Sequence, residues 1–308
     1  MVQHRIGKQQ TRAPGGGIGG QQASSRRPSA ARTSFPPCNQ DGNLDKALEI
    51  LQNSQKIIVV SGAGISISAG MPPLKGRDGI EDYLFEKRMY TIDRERWYKK
   101  MLELSETARR VEPTEFHTML ENLGPRLHQH VTQNIDGLDT KTPQLKERTI
   151  ALHGRLKDLR CTKNPWHESN WDEATLGKSC AMCSATYGLV EGSEIRNPGR
   201  LAKSDGKMRP DIVLRGEAVY EDMGEQLIEC LEKDFDLLVV VGTSLKIPSC
   251  YRFVSELSAG VQGRGGHVIR IDTRLANKQE RKIVNMDLKV TADEFARQYS
   301  SRLLESGS

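Results

Sequence analysis

No apolar run in this 308-residue chain approaches the roughly 20 residues that cross a bilayer as a helix, so no membrane partner is expected. An apolar core of the kind that marks a secretory signal is also missing at the start, where Met1 is followed by polar and glycine-rich sequence. These absences favour an intracellular, reducing setting. The six cysteines then read as thiols or metal ligands rather than as disulfides. Acid is nearly absent from residues 1–42, with Asp41 the sole carboxylate. No internal repeat is visible. The net charge of +5 permits an acidic partner without arguing for one, and no sequence-specific contact to nucleic acid is expected.

What is present divides the chain. Residues 1–42 are rich in Gly, Gln, Ser, Pro and Arg and read as a disordered basic tail. Two readings fit this tail, a nuclear-targeting or nucleic-acid arm and a merely solvated segment, and the scattered basic residues favour the second. Asn43 is placed to cap a helix over 44–51. Buried strands are expected at 56–60, around 130–134, at 212–214, at 237–241 and at 268–271, with helices near 76–110, 113–120 and 221–232. Strands alternating with helices predict an α/β fold, a doubly wound parallel sheet of Rossmann-like type. Residues 155–207 break that pattern with a polar, cysteine-bearing stretch and read as a small inserted module. The main domain then comprises 43–154 and 208–300, and 301–308 is left as a C-terminal tail.

In an open parallel sheet, ligands bind beyond the carboxyl ends of the strands, and three polar clusters fall there. Gly62, Ala63, Gly64, Ile65 and Ser66 follow the run Ile57-Ile58-Val59-Val60 and lead to Gly70. A turn without Cβ atoms lets backbone N–H groups approach a phosphate, although a plain tight turn explains it equally well taken alone. Gln133, Asn134, Ile135 and Asp136 leave the second strand with an amide and a carboxylate two residues apart, a pair able to hold a carboxamide. Gly242, Thr243 and Ser244 form a hydroxyl-bearing turn suited to ribose or phosphate. His153 is a candidate general base. Each cluster has a structural explanation when read singly; their joint order at strand ends strengthens the functional one.

Together these motifs resemble those of the sirtuins, NAD-dependent protein-lysine deacylases. Pro113-Thr114-x-x-His117 and Arg209-Pro210-Asp211-Ile212-Val213, followed by Gly216-Glu217, add to the likeness, which covers roughly residues 44–295. Within the family the chain is most similar to the fungal nuclear branch that acts on a core lysine of histone H3. The resemblance implies an NAD site built from the 62–66 turn, Gly70, Met71, Lys75, Gln133 to Asp136, Gly242 to Ser244 and Asp272. It implies that Asn134 and Asp136 hold the nicotinamide end and that His153 deprotonates a ribose hydroxyl. It also implies an acetylated protein substrate, with histone as the expected one and the nucleus as the expected site. The substrate would pair as a strand beside Val213, Arg215, Gly216 and Glu217. A nucleotide-binding module without turnover, and a mono-ADP-ribosyltransferase, are alternatives that use the same cleft.

The chain departs from the family at several of these positions. Pro73, Leu74 and Lys75 stand where the family has aspartate, phenylalanine and arginine. Lys75 keeps the charge without the planar fork. Arg215 replaces an aromatic residue, and Asp272 replaces an asparagine beside the adenosine ribose. The family's structural zinc is held by two Cys-x-x-Cys pairs. Cys180 and Cys183 form one pair, but the expected partner of Cys161 is Asn164. Either His167 completes a Cys3His set or the site is weakened. Cys38, Cys230 and Cys250 carry no signal beyond tail or core packing.

Overall fold

The structure is a computed structural model, and it describes residues 40–73, 82–164, 166–184, 206–217 and 221–306. The expected basic tail up to residue 39, Leu74 and Lys75, and much of the inserted module lie outside them. Six parallel strands form the main sheet: β1 (Ile57–Ser61), β2 (Leu127–Thr132), β3 (Thr149–Ala151), β7 (Leu237–Val241), β8 (His267–Ile271) and β9 (Met286–Leu288), in the order β3-β2-β1-β7-β8-β9. A second sheet of three antiparallel strands has β4 (Gly154–Cys161) between β5 (Glu168–Asn170) and β6 (Met208–Ile212).

The β-branched runs explain the main sheet. Every residue of β1 and of β7 is buried, as expected for strands covered on both faces. Alternate side chains serve opposite layers. Ile57, Val59, Leu237 and Val239 pack against helices α1 (Gln40–Asn53), α4 (Glu115–Asn122) and the last helix, Ala292–Ser306. Ile58, Val60, Leu238 and Val240 pack against the helices Glu221–Glu232 and Pro248–Gly263. The strand order leaves β1 and β7 side by side while their successors run outward in opposite directions. That is the switch point where such sheets open a ligand crevice.

Some expectations need correction. The first helix begins at Gln40, so Asn43 lies inside it rather than at its cap. The strand expected at 212–214 does not resume the parallel sheet: Met208–Ile212 pairs antiparallel with β4, with a register shift on β4 between Arg155 and Leu159. Residues 301–306 continue the last helix, whose buried Phe295, Ala296 and Tyr299 hold it on the core. The charged stretch before Arg110 is helical as α2 (Lys87–Ile92) and α3 (Arg94–Arg110), the latter capped by the Asp93 side chain accepting from the Arg96 N–H.

Candidate active site and metal centre

The glycine turn and the turn after β7 lock together across the switch point. Gly62 N–H donates to Val241 O at 3.0 Å and Gly64 N–H to Gly242 O at 2.9 Å. A Cβ on Gly64 would lie 2.5 Å from the Gly242 Cα, and one on Gly62 would lie 2.7 Å from the Thr243 Cβ. Only glycine permits that approach, and the paired turns form a cradle of bare backbone whose Gly62 and Gly64 N–H groups are spent in joining the two turns.

Three side chains tie this cradle to the turn after β2. Gln133 Nε2 donates to Thr243 Oγ1 at 2.9 Å. Asn134 Nδ2 donates to Ser66 Oγ at 3.1 Å. The Ser66 hydroxyl in turn hydrogen-bonds Asp136. Asp136 also accepts the Leu138 N–H at 3.0 Å. Burial holds its carboxyl above the usual carboxylate range, partly offset by these bonds and by Arg155. Ser244 follows Thr243, half-buried. Leu245 N–H then donates to Thr243 Oγ1, and Leu245 adopts φ 46°, a left-handed conformation uncommon outside glycine.

His153 sits between β3 and β4, at the junction of the two sheets. Its Nδ1 lies 2.9 Å from Gln133 O. A carbonyl only accepts, so Nδ1 carries the proton and Nε2 presents its lone pair. Burial lowers the imidazole pKa, the Gln133 bond opposes that shift, and the Arg215 charge adds to it. Gly154 follows in a left-handed turn, φ 69°, where a Cβ would fall 1.9 Å from Asp211 O, so the bend that presents His153 requires glycine.

A cavity of about 120 Å³ joins these groups. Its walls include Ala63, Ser66, Met71, Gln133, Asn134, Ile135, Asp136, His153, Val213 and Arg215, all expected from sequence or adjoining expected residues. Pro72, Phe85, Ile212 and Ile247 complete it, and of these Phe85 and Ile247 carry no sequence signal. Phe85 is brought in by a backbone pairing, Arg215 N–H donating to its carbonyl at 2.7 Å, for which a local sequence pattern gives no sign. A larger cavity of about 610 Å³ lies at the amino ends of β1, β7 and β8, away from every one of these side chains.

Two expected contacts take a different form. Asp272 is engaged by its neighbours: Oδ2 lies 3.0 Å from the Arg270 guanidinium and Oδ1 accepts the Arg274 N–H at 3.1 Å. Arg270 is itself buried and also meets Asp287 at 2.6 Å, so Asp272 belongs to an ion cluster at the end of β8. In the 213–217 segment, Val213 N–H donates to His153 O, Leu214 N–H to the Glu217 carboxylate, Arg215 N–H to Phe85 O and Glu217 N–H to Leu214 O. Glu217 also pairs with Arg209 at 2.7 Å. Those four donors are occupied within the chain, so a strand added beside Val213 to Glu217 meets no free N–H among them. Gly216 supplies the turn between.

In the small sheet, Cys161, His167, Cys180 and Cys183 bring one donor atom each within 4.8 Å of one another. Cys161 Sγ and Cys183 Sγ are 3.7 Å apart, and His167 Nδ1 is 3.4 Å from Cys180 Sγ and from Cys183 Sγ. Tetrahedral zinc with bonds of about 2.3 Å to sulfur and about 2.0 Å to nitrogen separates its ligands by about 3.5–3.8 Å. The set fits structural zinc. Asn164, in the place of the expected fourth cysteine, instead puts its side-chain amide 3.1 Å from His167 Nε2. Gly206 closes the site so tightly that a Cβ there would lie 2.1 Å from Cys161 Sγ.

A switch-point crevice floored by a glycine knot, with a histidine at its wall and a Cys3His cluster that fits zinc, is the architecture of a dinucleotide-binding α/β protein with a structural zinc module. The chain matches the Sir2 family over residues 62–249 and belongs to that family. It is 31% identical over 263 residues to the NAD-dependent histone deacetylase HST4 of Saccharomyces cerevisiae, spanning 74% of this chain and 70% of that protein. It is 33% identical to the NAD-dependent protein deacetylase hst4 of Emericella nidulans, spanning 73% of this chain but only 43% of that protein. A solved Sir2 homologue in complex with NAD superposes with a TM-score of 0.64 at 23% identity over 84% of this chain and 94% of that one, a likeness of fold. The residues present fit NAD: the buried Asn134 and Asp136 suit a carboxamide, and the Thr243 and Ser244 hydroxyls beside the glycine turn suit ribose or phosphate.

Proposed function

We propose that the chain is an NAD-dependent protein-lysine deacetylase that releases nicotinamide and passes the acetyl group to ADP-ribose, with a histone lysine as substrate and the nucleus as its place of action. The observation that carries this reading is His153, whose Nδ1–H is fixed on Gln133 O at 2.9 Å while its other nitrogen is left as a base beside Asn134 and Asp136.

NAD, when bound, supplies a glycosidic bond whose cleavage leaves an electrophilic ribose carbon. The chain's own residues then divide the work. The Gly62–Ser66 and Gly242–Ser244 turns hold the phosphates and ribose. Asn134 and Asp136, steadied through Ser66, fix the carboxamide end. His153 Nε2 would take a proton from a ribose hydroxyl of the bound cofactor, which its lowered pKa permits at neutral pH because the neutral form predominates. Phe85, Met71 and Ile247 give the cavity an apolar wall that limits water. The zinc centre sits in the other sheet and serves structure. The histone substrate is supported by the name of the yeast relative, and the nuclear site is inferred from that substrate.

Nicotinamide release measured with NAD and an acetylated histone H3 peptide tests the proposal. Release that depends on the peptide supports it, and well-folded, zinc-loaded protein that leaves NAD intact overturns it.

A further inference from the structure

Beneath the catalytic turn runs a line of buried polar side chains that the chemistry above does not use. Ser61 Oγ donates to Thr132 Oγ1 at 3.0 Å, so its only hydrogen is committed. His130 Nε2 lies 2.8 Å from Ser61 Oγ and must therefore be the donor to it. The other nitrogen, Nδ1, is then a bare acceptor, 3.0 Å from the Thr149 hydroxyl, which also lies 2.7 Å from Leu145 O. Thr132 Oγ1 accepts the backbone N–H of Asn134 at 3.1 Å as well. The side-chain chain therefore runs from Thr149 through His130 and Ser61 to Thr132, where it meets the Asn134 backbone. His130 and Ser61 are wholly enclosed, and Thr132 is nearly so.

We propose that His130 is a positioning residue for Asn134: as a neutral Nε2–H imidazole it anchors, through Ser61 and Thr132, the backbone that aims Asn134 at its ligand. The inference rests on the role given to Asn134 above. It explains why an enclosed histidine stands where an aliphatic residue would pack more cheaply, since an imidazole can both give and take a hydrogen bond across a strand. The links lie on β1, β2 and β3, so the catalytic turn is tied sideways to the sheet as well as along the chain.

Nitrogen NMR of the zinc-loaded protein labelled in its imidazoles reads the tautomer directly. The proposal expects His130 in the Nε2–H form, and an Nδ1–H form or a charged ring at neutral pH overturns it. Kinetics give a second reading. Thr132→Val and Ser61→Ala are each expected to lower kcat about tenfold with the peptide KM nearly unchanged, as for loss of one buried hydrogen bond felt at the reacting centre. Thr132→Ser restores the rate. Ser61→Ala combined with His130→Phe is no worse than the more damaging single variant, because both interrupt one chain. Additive losses, or wild-type kcat in Thr132→Val, overturn the proposal. A wild-type protein that never consumes NAD refutes the function proposed above instead, and the tautomer still decides whether the chain exists.

Discussion

Gly64→Ala probes the glycine knot with the fewest side effects. Gly64 does not occupy the left-handed region, so its backbone accepts alanine, and the penalty comes from space alone. The new Cβ would stand 2.5 Å from Gly242 Cα, 3.0 Å from Gly242 O and 3.1 Å from Gly242 C. Carbon atoms in contact sit about 3.5–4.0 Å apart, so the two turns must separate by about 1 Å. The separation acts on backbone, which has no rotamer to yield. Overpacking of this kind costs about 1–3 kcal/mol, and stretching the 2.9 Å bond from Gly64 N–H to Gly242 O adds about 1 kcal/mol. Alanine returns about 0.4–1 kcal/mol by restricting the unfolded chain. The balance is a loss of about 2–3 kcal/mol, or a Tm lower by roughly 5–10 °C. Calorimetry should show NAD affinity falling as well, since the cradle opens. Gly224→Ala, in the helix Glu221–Glu232 with nothing within 4 Å of the added Cβ, should raise stability by about 1 kcal/mol. A Gly64→Ala protein with wild-type Tm and wild-type NAD affinity would refute the reasoning.

Three further outcomes follow from charge and metal. His117 and His130 are held neutral by burial, with pKa values lowered to about 4 and about 3 against 6.5 unfolded. Above pH 6.5 they do not affect stability; as pH falls below it, the unfolded state takes up protons that the folded state refuses. By pH 5 the pair should cost roughly 4 kcal/mol, and His130→Phe should halve the slope of urea-derived stability against pH. The acid limb of kcat against pH should fall below the usual histidine value, because His153 works as a neutral base and its pKa is lowered; Arg215→Gln, removing a nearby cation, should move that limb up. His167→Ala should lower zinc affinity at least tenfold in chelator competition, while His167→Cys retains one zinc per chain.

The sequence revealed the parts whose signal is local. The runs at 57–60 and 237–241 read as buried strands, and the glycines after them pointed to a crevice only once joined with the other polar clusters at strand ends. The polar clusters at Gln133 to Asp136 and at His153 were legible because strand ends are where such groups can act. Short edge strands such as Thr149–Ala151 and Met286–Leu288 gave no sign, because three residues carry no periodicity and owe their form to a neighbour. The strand expected at 212–214 falls at Met208–Ile212 and in the other sheet for a related reason: an apolar strand end says nothing about its partner. Asp272 and Glu217 looked available for ligands, but Arg270 and Arg209 reach them only through tertiary packing. The fourth metal ligand stayed open between His167 and a weakened site until the fold brought Nδ1 within 3.4 Å of two thiols.

The central claim is that this crevice uses NAD to remove an acyl group with His153 as base. Mass spectrometry of a reaction containing NAD and an acetyl-lysine peptide tests it most directly, run with the wild-type chain and with His153→Ala. The account predicts acetyl-ADP-ribose and free lysine peptide from the wild type, and neither from His153→Ala even though that variant still binds NAD. Equal product from both proteins, or none from a wild type that binds NAD and zinc, would contradict it.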